Sequence, residues 1–203
     1  NNFMQLFFGW EGVGLVSYLL IGFYYAKPSA ADGSLKAFIV NRVGDFGFIL
    51  VIGGVIATFG TVDFLSVFAQ TPSHANDTLT IFPHVEWSAI TVLCVLMFIG
   101  AMGKSAQIPL HVWLPESMEG PTPISALIHA ATMVTAGVFM VARMSPIFEY
   151  SEAAMSLVLV IGASGALFLG ILAFVENDIK RVIAYSTMSQ LGYMMAGNGA
   201  SAF

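Results

Sequence analysis

The 203-residue sequence has very little charge, because only 9% of its residues are Asp, Glu, Lys or Arg. A soluble domain carries about a quarter. Seven basic residues stand against twelve acidic ones, which gives a net charge of −5, and they form no basic cluster. Without such a cluster the chain has no electrostatic footprint for a polyanion, so we expect no nucleic-acid partner.

Cysteine is almost absent, and so are the common cofactor motifs. Cys94 is the single cysteine and lies in an apolar run, which excludes a disulfide framework and a thiolate metal site and predicts a small buried side chain. The segment GAMGKSA resembles a phosphate loop, but Phe98 stands where the first glycine of such a loop belongs. The chain also has no nicotinamide fingerprint and no haem or iron–sulfur spacing. We therefore expect no cofactor in this chain and no redox site of its own.

What the sequence does contain is apolar length: 57% of the residues are hydrophobic and the mean hydropathy is +0.83. A helix of about 20 apolar residues crosses a bilayer. The predicted spans are residues 3–25, 37–59, 87–103, 124–143, 153–175 and 180–200, and the third continues past Lys104 as an interrupted piece to about 115. Because these runs are too long for barrel strands, they predict an all-α polytopic membrane protein with about six transmembrane helices.

The connections between the spans predict their orientation. Lys27 and Lys36 lie before the second span, and Lys180 and Arg181 lie at the start of the sixth, whereas loop 60–86 has no basic residue. The positive-inside rule places the two basic connections on the cytoplasmic or matrix side. The first span then runs from the outside to the inside.

Loop 60–86 is the longest predicted extramembrane segment. Its apolar positions predict a short surface helix and are Val62, Phe64, Leu65, Val67 and Phe68. His74 and His84 stand ten residues apart in this loop without partner ligands. We expect both to be solvent-exposed loop histidines.

Glu11 lies near the middle of the first span, where a charge costs about 2.5–3.5 kcal/mol and calls for an explanation. Gly9, Gly12 and Gly14 surround it and would let neighbouring helices approach closely. Glu11 is either a structural carboxylate that is paired inside the bundle or a protonatable site.

Arg42 and Asp45 are three residues apart in the second span, so they share one helix face and can pair within the helix. A pair that compensates its own charge can be purely structural. The sequence leaves that interpretation and a functional one equally open.

Lys104 stands just before a predicted break in its helix. Pro109 has no N–H and opposes the carbonyl of Ser105, so the helix should open at 105–109. A broken helix in a membrane is tolerated only where it faces protein or a water-filled cavity, and transporters build ion sites at such breaks. We predict that Lys104 is a titratable group in this polar place; the alternative is a lysine that snorkels to the interface.

Two histidines are further candidates. His129 has Ser125 and Thr132 on its helix face, and an imidazole titrates close to neutral pH, although a lone histidine can also be a satisfied core residue. His111 would share the face of Lys104 only if the helix were unbroken, and it is the weaker candidate. If Glu11 approaches Lys104, separating the two would release a proton from the lysine.

Four segments resemble the antiporter-like chain 5 subunit family of respiratory complex I: GWEGVGLVSYLLIGF, KAFIVNRVGDFGF, GKSAQIPLHVWLPESMEGPTPISALIHAATMVTAGVFMVAR and NDIKRVIAYSTMSQLGYM. The resemblance implies two five-helix repeats of inverted topology, each with a broken helix. It makes residues 1–143 part of the first repeat, with four spans, and residues 153–203 the start of the second, with two. The chain lacks an initiator Met and both its ends lie in predicted helices, so we expect an internal fragment.

The same resemblance implies a role for particular residues. The family's glutamate, broken-helix lysine and histidine fall on Glu11, Lys104 and His129, and Arg42, Asp45 and His111 are weaker candidates. The implied function is proton translocation through the membrane centre, driven by quinone chemistry elsewhere in the complex. The implied partners are other membrane-arm subunits, the lipid bilayer and protons, in a bacterial cytoplasmic or mitochondrial inner membrane.

Two other classes of protein compete with this interpretation. One is the large subunit of a multisubunit Na+/H+ antiporter or of a membrane-bound hydrogenase complex; the other is a structural bundle that only spaces working subunits. Complex I is favoured over the antiporter by the segment GWEGVGLVSYLLIGF followed by VNRVGDFGF. A scaffold is disfavoured because charged residues lie at the centres of three separate spans. A weak internal match of 11–22 to 186–197 places Ser186 at the position of Glu11, which predicts no carboxylate there.

Overall fold

The computed structural model describes residues 1–82, 85–128 and 132–203, and these residues form an α-helical bundle with one small β-hairpin. The helices are α1 (Phe3–Ile21), α2 (Pro28–Phe59), α3 (Phe64–Gln70), α4 (Ala89–Lys104), α5 (Thr122–Ala126), α6 (Met133–Arg143), α7 (Ser145–Phe148), α8 (Glu152–Val175) and α9 (Ile179–Gly199). Strands β1 (Thr78–Phe82) and β2 (Val85–Ser88) pair antiparallel. The predicted all-α class is confirmed, and the hairpin is an addition that the sequence analysis did not predict.

Three helical segments among the described residues are long and apolar enough to cross a membrane: Phe3–Tyr24, Pro28–Phe59 and Glu152–Val175. Helices α4 and α6 are apolar but shorter. α9 has 21 residues and coincides with the predicted sixth span. Each of the six predicted spans thus has a helix in the structure, although their lengths differ from the predicted ones.

The predicted span 124–143 is wrong as one continuous helix, because α5 ends at Ala126 and α6 begins at Met133. The Leu127 carbonyl accepts two hydrogen bonds from Thr132, from its backbone N–H at 3.3 Å and from its hydroxyl at 3.0 Å. A bond from residue i+5 widens the turn, and a hydroxyl that bonds the backbone competes with the regular ladder.

Helix α2 begins nine residues earlier than the predicted span. Pro28 occupies the first helical turn, where its missing N–H leaves no bond unmade. At the other end Gly60 adopts φ +66°, the left-handed conformation that commonly ends a helix. The polar residues after Pro28 hid this start, because hydropathy detects apolar length rather than the ends of a helix.

The helix break that Pro109 predicted is confirmed, since α4 ends at Lys104. The expected continuation to about 115 is wrong, because residues 105–115 form turns rather than a second helical piece. Two carbonyl groups at the end of α4 accept hydrogen bonds from beyond the helix. The Gln107 N–H donates to the Met102 carbonyl at 3.0 Å, and the Trp113 indole N–H donates to the Gly103 carbonyl at 3.0 Å. These bonds satisfy backbone groups at the buried break, as a membrane interior requires.

Glycines bring α2 and α4 into backbone contact. A Cβ atom on Gly44 would lie 3.0 Å from Cα of Gly103, and one on Gly47 would lie 2.9 Å from the carbonyl oxygen of Leu96. Small residues are what allow membrane helices to approach this closely. The contact places Asp45, next to Gly44, beside the end of α4.

Loop 60–86 packs on the start of α1. Its predicted surface helix is confirmed as α3, whose Phe64 ring packs edge-on against Phe3 with centroids 4.8 Å apart. His74 is less exposed than expected, because its side chain is 27% exposed and its Nδ1 lies 2.7 Å from an oxygen of Asp77. His84 lies outside the described residues. Cys94 is buried, as predicted.

Candidate functional site

The centre of the bundle holds a buried ion pair. Lys104, the last residue of α4, is fully buried, and Asp45 of α2 is 2% exposed. The Nζ atom of Lys104 lies 3.2 Å from Oδ1 and 3.3 Å from Oδ2 of Asp45. Removing Asp45 would leave Lys104 as an uncompensated buried charge, which is strongly destabilising. Without Lys104, Asp45 would still have Arg42 at 3.6 Å.

A second ion pair joins this one from α1. Glu11 forms a salt bridge with Arg42, and Nη1 of Arg42 also lies 3.6 Å from Oδ2 of Asp45. The predicted pairing of Arg42 with Asp45 along one helix face is confirmed. The four residues form a chain of alternating charge, Glu11–Arg42–Asp45–Lys104, across α1, α2 and α4. We call it the ion chain.

The ion chain runs from the core towards the outer face of the bundle. Asp45 and Lys104 are buried, whereas the side chains of Glu11 and Arg42 are 25% and 36% exposed. One carboxylate oxygen of Glu11 contacts Arg42, and the other, Oε1, has no hydrogen-bond partner among the described residues. Glu11 thus has one carboxylate oxygen paired with Arg42 and one buried oxygen without a partner in the described structure.

Gly14 gives Lys104 access to α1. A Cβ atom on Gly14 would lie 2.8 Å from Nζ of Lys104, so a side chain there would displace the ammonium group. The same construction on Gly9 and Gly12 meets nothing within 4 Å. Of the three glycines around Glu11, Gly14 is the one whose missing side chain lets another element approach.

Trp10 is a member of the site that the sequence analysis missed. Its indole N–H donates to Oδ1 of Asp45 at 2.9 Å, and Nζ of Lys104 lies 5.9 Å from its ring centroid. Trp10 is 2% exposed. A buried tryptophan usually has a partner for its N–H, and this tryptophan directly precedes Glu11, so the sequence did contain a signal.

The structure brings four of the predicted site residues together and places a fifth, His111, outside the ion chain. Among the described residues no ion pair joins Glu11 directly to Lys104, and Arg42 and Asp45 stand between them. His111 lies on the turns after the break, and its Nδ1 has no hydrogen-bond partner in the described part of the chain. It does not share a helix face with Lys104. His129 lies outside the described residues, and its role stays a prediction.

Across residues 1–82, 85–128 and 132–203, no group of three His, Cys, Asp or Glu side chains is arranged to hold a metal ion. What the described site contains is a continuous run of opposite charges. Two carboxylates and two bases contact one another in sequence, and Asp45 is shared between a lysine and an arginine. Ionisable residues inside a membrane bundle, paired with one another, mark ion and proton pathways.

Fold and site together define an integral membrane domain with a buried chain of opposite charges. A family model described as "NADH:quinone oxidoreductase/Mrp antiporter, TM" matches residues 1–203, which is the whole chain. The chain belongs to that family.

Similar proteins occur in bacteria and in plants. The chain is 68% identical to NADH-quinone oxidoreductase subunit L of Neisseria meningitidis, over 100% of this chain and 30% of that protein. It is 59% identical to the subunit L of Rhodobacter capsulatus, over 100% of this chain and 28% of that protein. It is 56% identical to NADH-ubiquinone oxidoreductase chain 5 of Triticum aestivum, over 99% of this chain and 30% of that protein. The chain thus spans a little under a third of these curated relatives.

Two solved structures share the fold. A chain of the Mrp complex from Dietzia sp. DQ12-45-1b superposes with a TM-score of 0.88 at 30% identity, covering 98% of this chain and 21% of that one. The second structure is a chain of the membrane-bound sulfane sulfur reductase, an archaeal respiratory membrane complex. It superposes with a TM-score of 0.82 at 22% identity, covering 98% of this chain and 32% of that one. The second likeness concerns the fold alone.

Proposed function

We propose that this chain is part of a proton-translocating membrane subunit of an NADH:quinone oxidoreductase. The observation that carries the proposal is the fully buried Lys104, which is paired with Asp45 where a membrane helix breaks. A charge is costly at that depth unless it serves a pathway. The 68% identity to a protein named as a subunit of this enzyme supports the assignment.

The ion chain supplies a physical route for moving a proton. Asp45 is shared, with Lys104 on one side and Arg42 on the other. When Asp45 stays with Lys104, the lysine holds its proton. When Asp45 moves towards Arg42, Lys104 loses its counter-charge and releases the proton to a neighbouring water or side chain. Protonation of Glu11 frees Arg42 from its other partner and so promotes that movement.

The driving reaction belongs to other parts of the complex in this proposal. This chain has no redox site of its own and needs no cofactor, and it works by responding to quinone reduction elsewhere. Its partners are the other membrane-arm subunits, the lipid bilayer and the transported protons. The proposed site residues are Glu11, Lys104 and His129, with Arg42 and Asp45 as members of the same chain and His111 as a weaker candidate.

A second function, the large subunit of an Mrp-type Na+/H+ antiporter, has one observation in its favour. The fold superposes on a chain of the Mrp complex with a TM-score of 0.88. The identity there is 30%, against 55–68% for the complex I subunits. The complex I assignment is therefore the better supported one.

The test is Lys104→Met in the full-length subunit within its native complex. Proton pumping and NADH oxidation are recorded in parallel in membrane vesicles. We expect both rates to fall by about tenfold or more while the complex still assembles, since a positioned proton carrier contributes on this scale. The matched control is Lys36→Met, which removes a lysine that pairs with Glu116 at a more exposed position. That variant should pump normally, since exposed ion pairs contribute about 0–1 kcal/mol.

Each outcome of this experiment favours one of three functions: proton translocation in complex I, a structural scaffold or an Na+/H+ antiporter. Normal pumping by assembled Lys104→Met complex contradicts the proposal and makes the lysine structural. If Lys104→Met prevents assembly while Lys36→Met does not, the result favours the interpretation of the chain as a structural scaffold. Pumping that depends on Na+ in the wild-type membranes would favour the antiporter.

A further inference from the structure

Trp10 is the one uncharged side chain in the described structure that bonds a carboxylate of the ion chain. Its indole N–H donates to Oδ1 of Asp45 at 2.9 Å, the same oxygen that lies 3.2 Å from Nζ of Lys104. Arg42 approaches the other oxygen, Oδ2, at 3.6 Å. Nζ of Lys104 also lies 3.3 Å from Oδ2, so the lysine contacts both oxygens while the indole holds the carboxylate at Oδ1.

The indole is held firmly enough to act as an anchor. Trp10 is 2% exposed, and its ring packs edge-on against Phe48, with centroids 5.3 Å apart and an interplanar angle of 82°. Phe48 is itself fully buried, and Phe7 packs on it at 5.5 Å. A tryptophan side chain has only two rotatable bonds, so this packing fixes the direction of its N–H.

Asp45 can pair with either of two cations, so a fixed hydrogen-bond donor can influence which of them it contacts. Lys104 and Arg42 both lie within ion-pair distance of it, and Arg42 has Glu11 as an alternative partner. Hydrogen bonds to a charged group are among the stronger ones and depend on direction. A single fixed donor on Oδ1 therefore biases the carboxylate towards Lys104.

We propose that Trp10 is a positioning residue for proton transfer: its N–H keeps Asp45 turned towards Lys104 until charge on the Glu11 side of the chain pulls Asp45 away. This inference rests on the proposed function and adds a residue and a role to it. Loss of the N–H would free Asp45 to rotate towards Arg42, and Lys104 would then give up its proton more readily. The charged groups that face Lys104 are Asp45 and Arg42 from α2, with Glu11 of α1 beyond Arg42.

The test is Trp10→Phe in the full-length subunit within the assembled complex, with proton pumping measured from pH 6 to pH 9. The variant keeps an aromatic ring against Phe48 and removes the donor. We expect near-normal pumping at pH 6 and a loss of about three- to tenfold at pH 8. The alkaline side of the profile should move to lower pH by about half a unit to one unit, since one unit corresponds to a tenfold change in the protonation equilibrium.

Two controls separate hydrogen bonding from packing. Phe48→Leu keeps the N–H but loosens the packing that directs it, so the alkaline side should move by less than in Trp10→Phe. Trp87→Phe removes an exposed indole on β2, far from the ion chain in the fold, and should change nothing. If Trp10→Phe fails to assemble, benzothienylalanine at position 10 replaces the N–H by sulfur in a side chain of nearly the same shape. That variant should show the same alkaline loss.

The results distinguish this inference from the proposed function. A wild-type pH profile for assembled Trp10→Phe or benzothienylalanine complex, with Lys104→Met inactive, overturns the role of Trp10 alone. A larger shift in Phe48→Leu than in Trp10→Phe also overturns it, because loss of packing rather than loss of the N–H would then explain the effect. Normal pumping by Lys104→Met overturns the proposed function itself.

Discussion

Two of the glycine-packed helix crossings in the described structure differ in charge: the α2–α4 crossing lies beside charged side chains, and the α8–α9 crossing does not. At the α2–α4 crossing Gly44 lies against Gly103, and the ion chain passes beside it. At the α8–α9 crossing a Cβ atom on Gly162 would lie 2.6 Å from the backbone nitrogen of Ala196. Residues 153–175 and 182–199 contain no Asp, Glu, Lys or Arg.

The difference shows that glycine serves two purposes in the bundle. In the α8–α9 crossing it allows backbone to touch backbone, and the polar contact is a neutral one, from the Ser189 hydroxyl to the Ala166 carbonyl at 2.7 Å. On α1 the missing side chain of Gly14 makes room for the ammonium group of Lys104. Both crossings bring two helices into backbone contact, and at the α2–α4 crossing a further glycine, on α1, makes room for a charge.

Asp45→Asn should have the largest effect, because it removes the counter-charge of a fully buried lysine. Breaking one side of a buried ion pair costs about 3–5 kcal/mol. We expect less assembled complex on native gels, a lower midpoint of thermal dissociation and loss of pumping. Adding Lys104→Met to this variant should restore assembly but not pumping.

The control for this prediction is Asp32→Asn on the same helix, where the side chain is exposed and the change should be nearly silent. Asp45→Asn complex that assembles and pumps like wild type would show that the ion pair contributes neither to stability nor to transport. The α2–α4 and α8–α9 crossings would then differ in amino-acid composition but not in function.

Gly192→Ala should have the next largest effect, and it should fall on stability. The new Cβ atom would lie 2.6 Å from the backbone nitrogen of Ala166, and backbone can yield only if α8 and α9 move apart. Overpacking of this kind costs about 1–3 kcal/mol. We expect reduced assembly with unchanged pumping per assembled complex. Gly197→Ala on the same helix meets nothing within 4 Å and should be neutral or slightly stabilising.

Gly14→Ala should have the smallest effect on stability and a selective effect on transport. Its Cβ atom would meet the end of the Lys104 side chain, which is flexible and can move aside. We expect normal assembly and a fall in pumping of about three- to tenfold, since a misplaced reacting group is costly for rate. Gly12→Ala, with open space around it, is the control. Equal pumping by the two variants would mean that the position of Lys104 against α1 is unimportant.

The part of the site that local chemistry determines was predictable from the sequence. Pro109 forces the helix to open, so both the break and a buried polar place for Lys104 followed. Arg42 and Asp45 share a face at a spacing of three, so their contact followed from helix geometry. These inferences needed no knowledge of how the helices cross.

The pairing of Glu11 could not be predicted in the same way. Glu11 meets Arg42 rather than Lys104, and that depends on the height and rotation of α1 against α2, which hydropathy does not encode. Trp10 was missed because an aromatic residue in an apolar span is expected to pack, and here it also donates to Asp45. The hairpin was missed although residues 78–82 and 85–88 are rich in β-branched and aromatic residues, a strand signal that a search for membrane spans passes over.

The length of α2 has a further consequence for the molecule. Its 32 residues rise about 48 Å, well beyond the hydrocarbon thickness of about 30 Å, and Lys36 stands about 13 Å from Asp45 along the axis. One helix therefore carries an ion pair with Glu116 at its partly exposed end and another with Lys104 in the dry interior. Dissolved salt screens the first pair and hardly reaches the second. The two ends of α2 consequently respond differently to ionic strength, and only the outer one senses the composition of the surrounding solution.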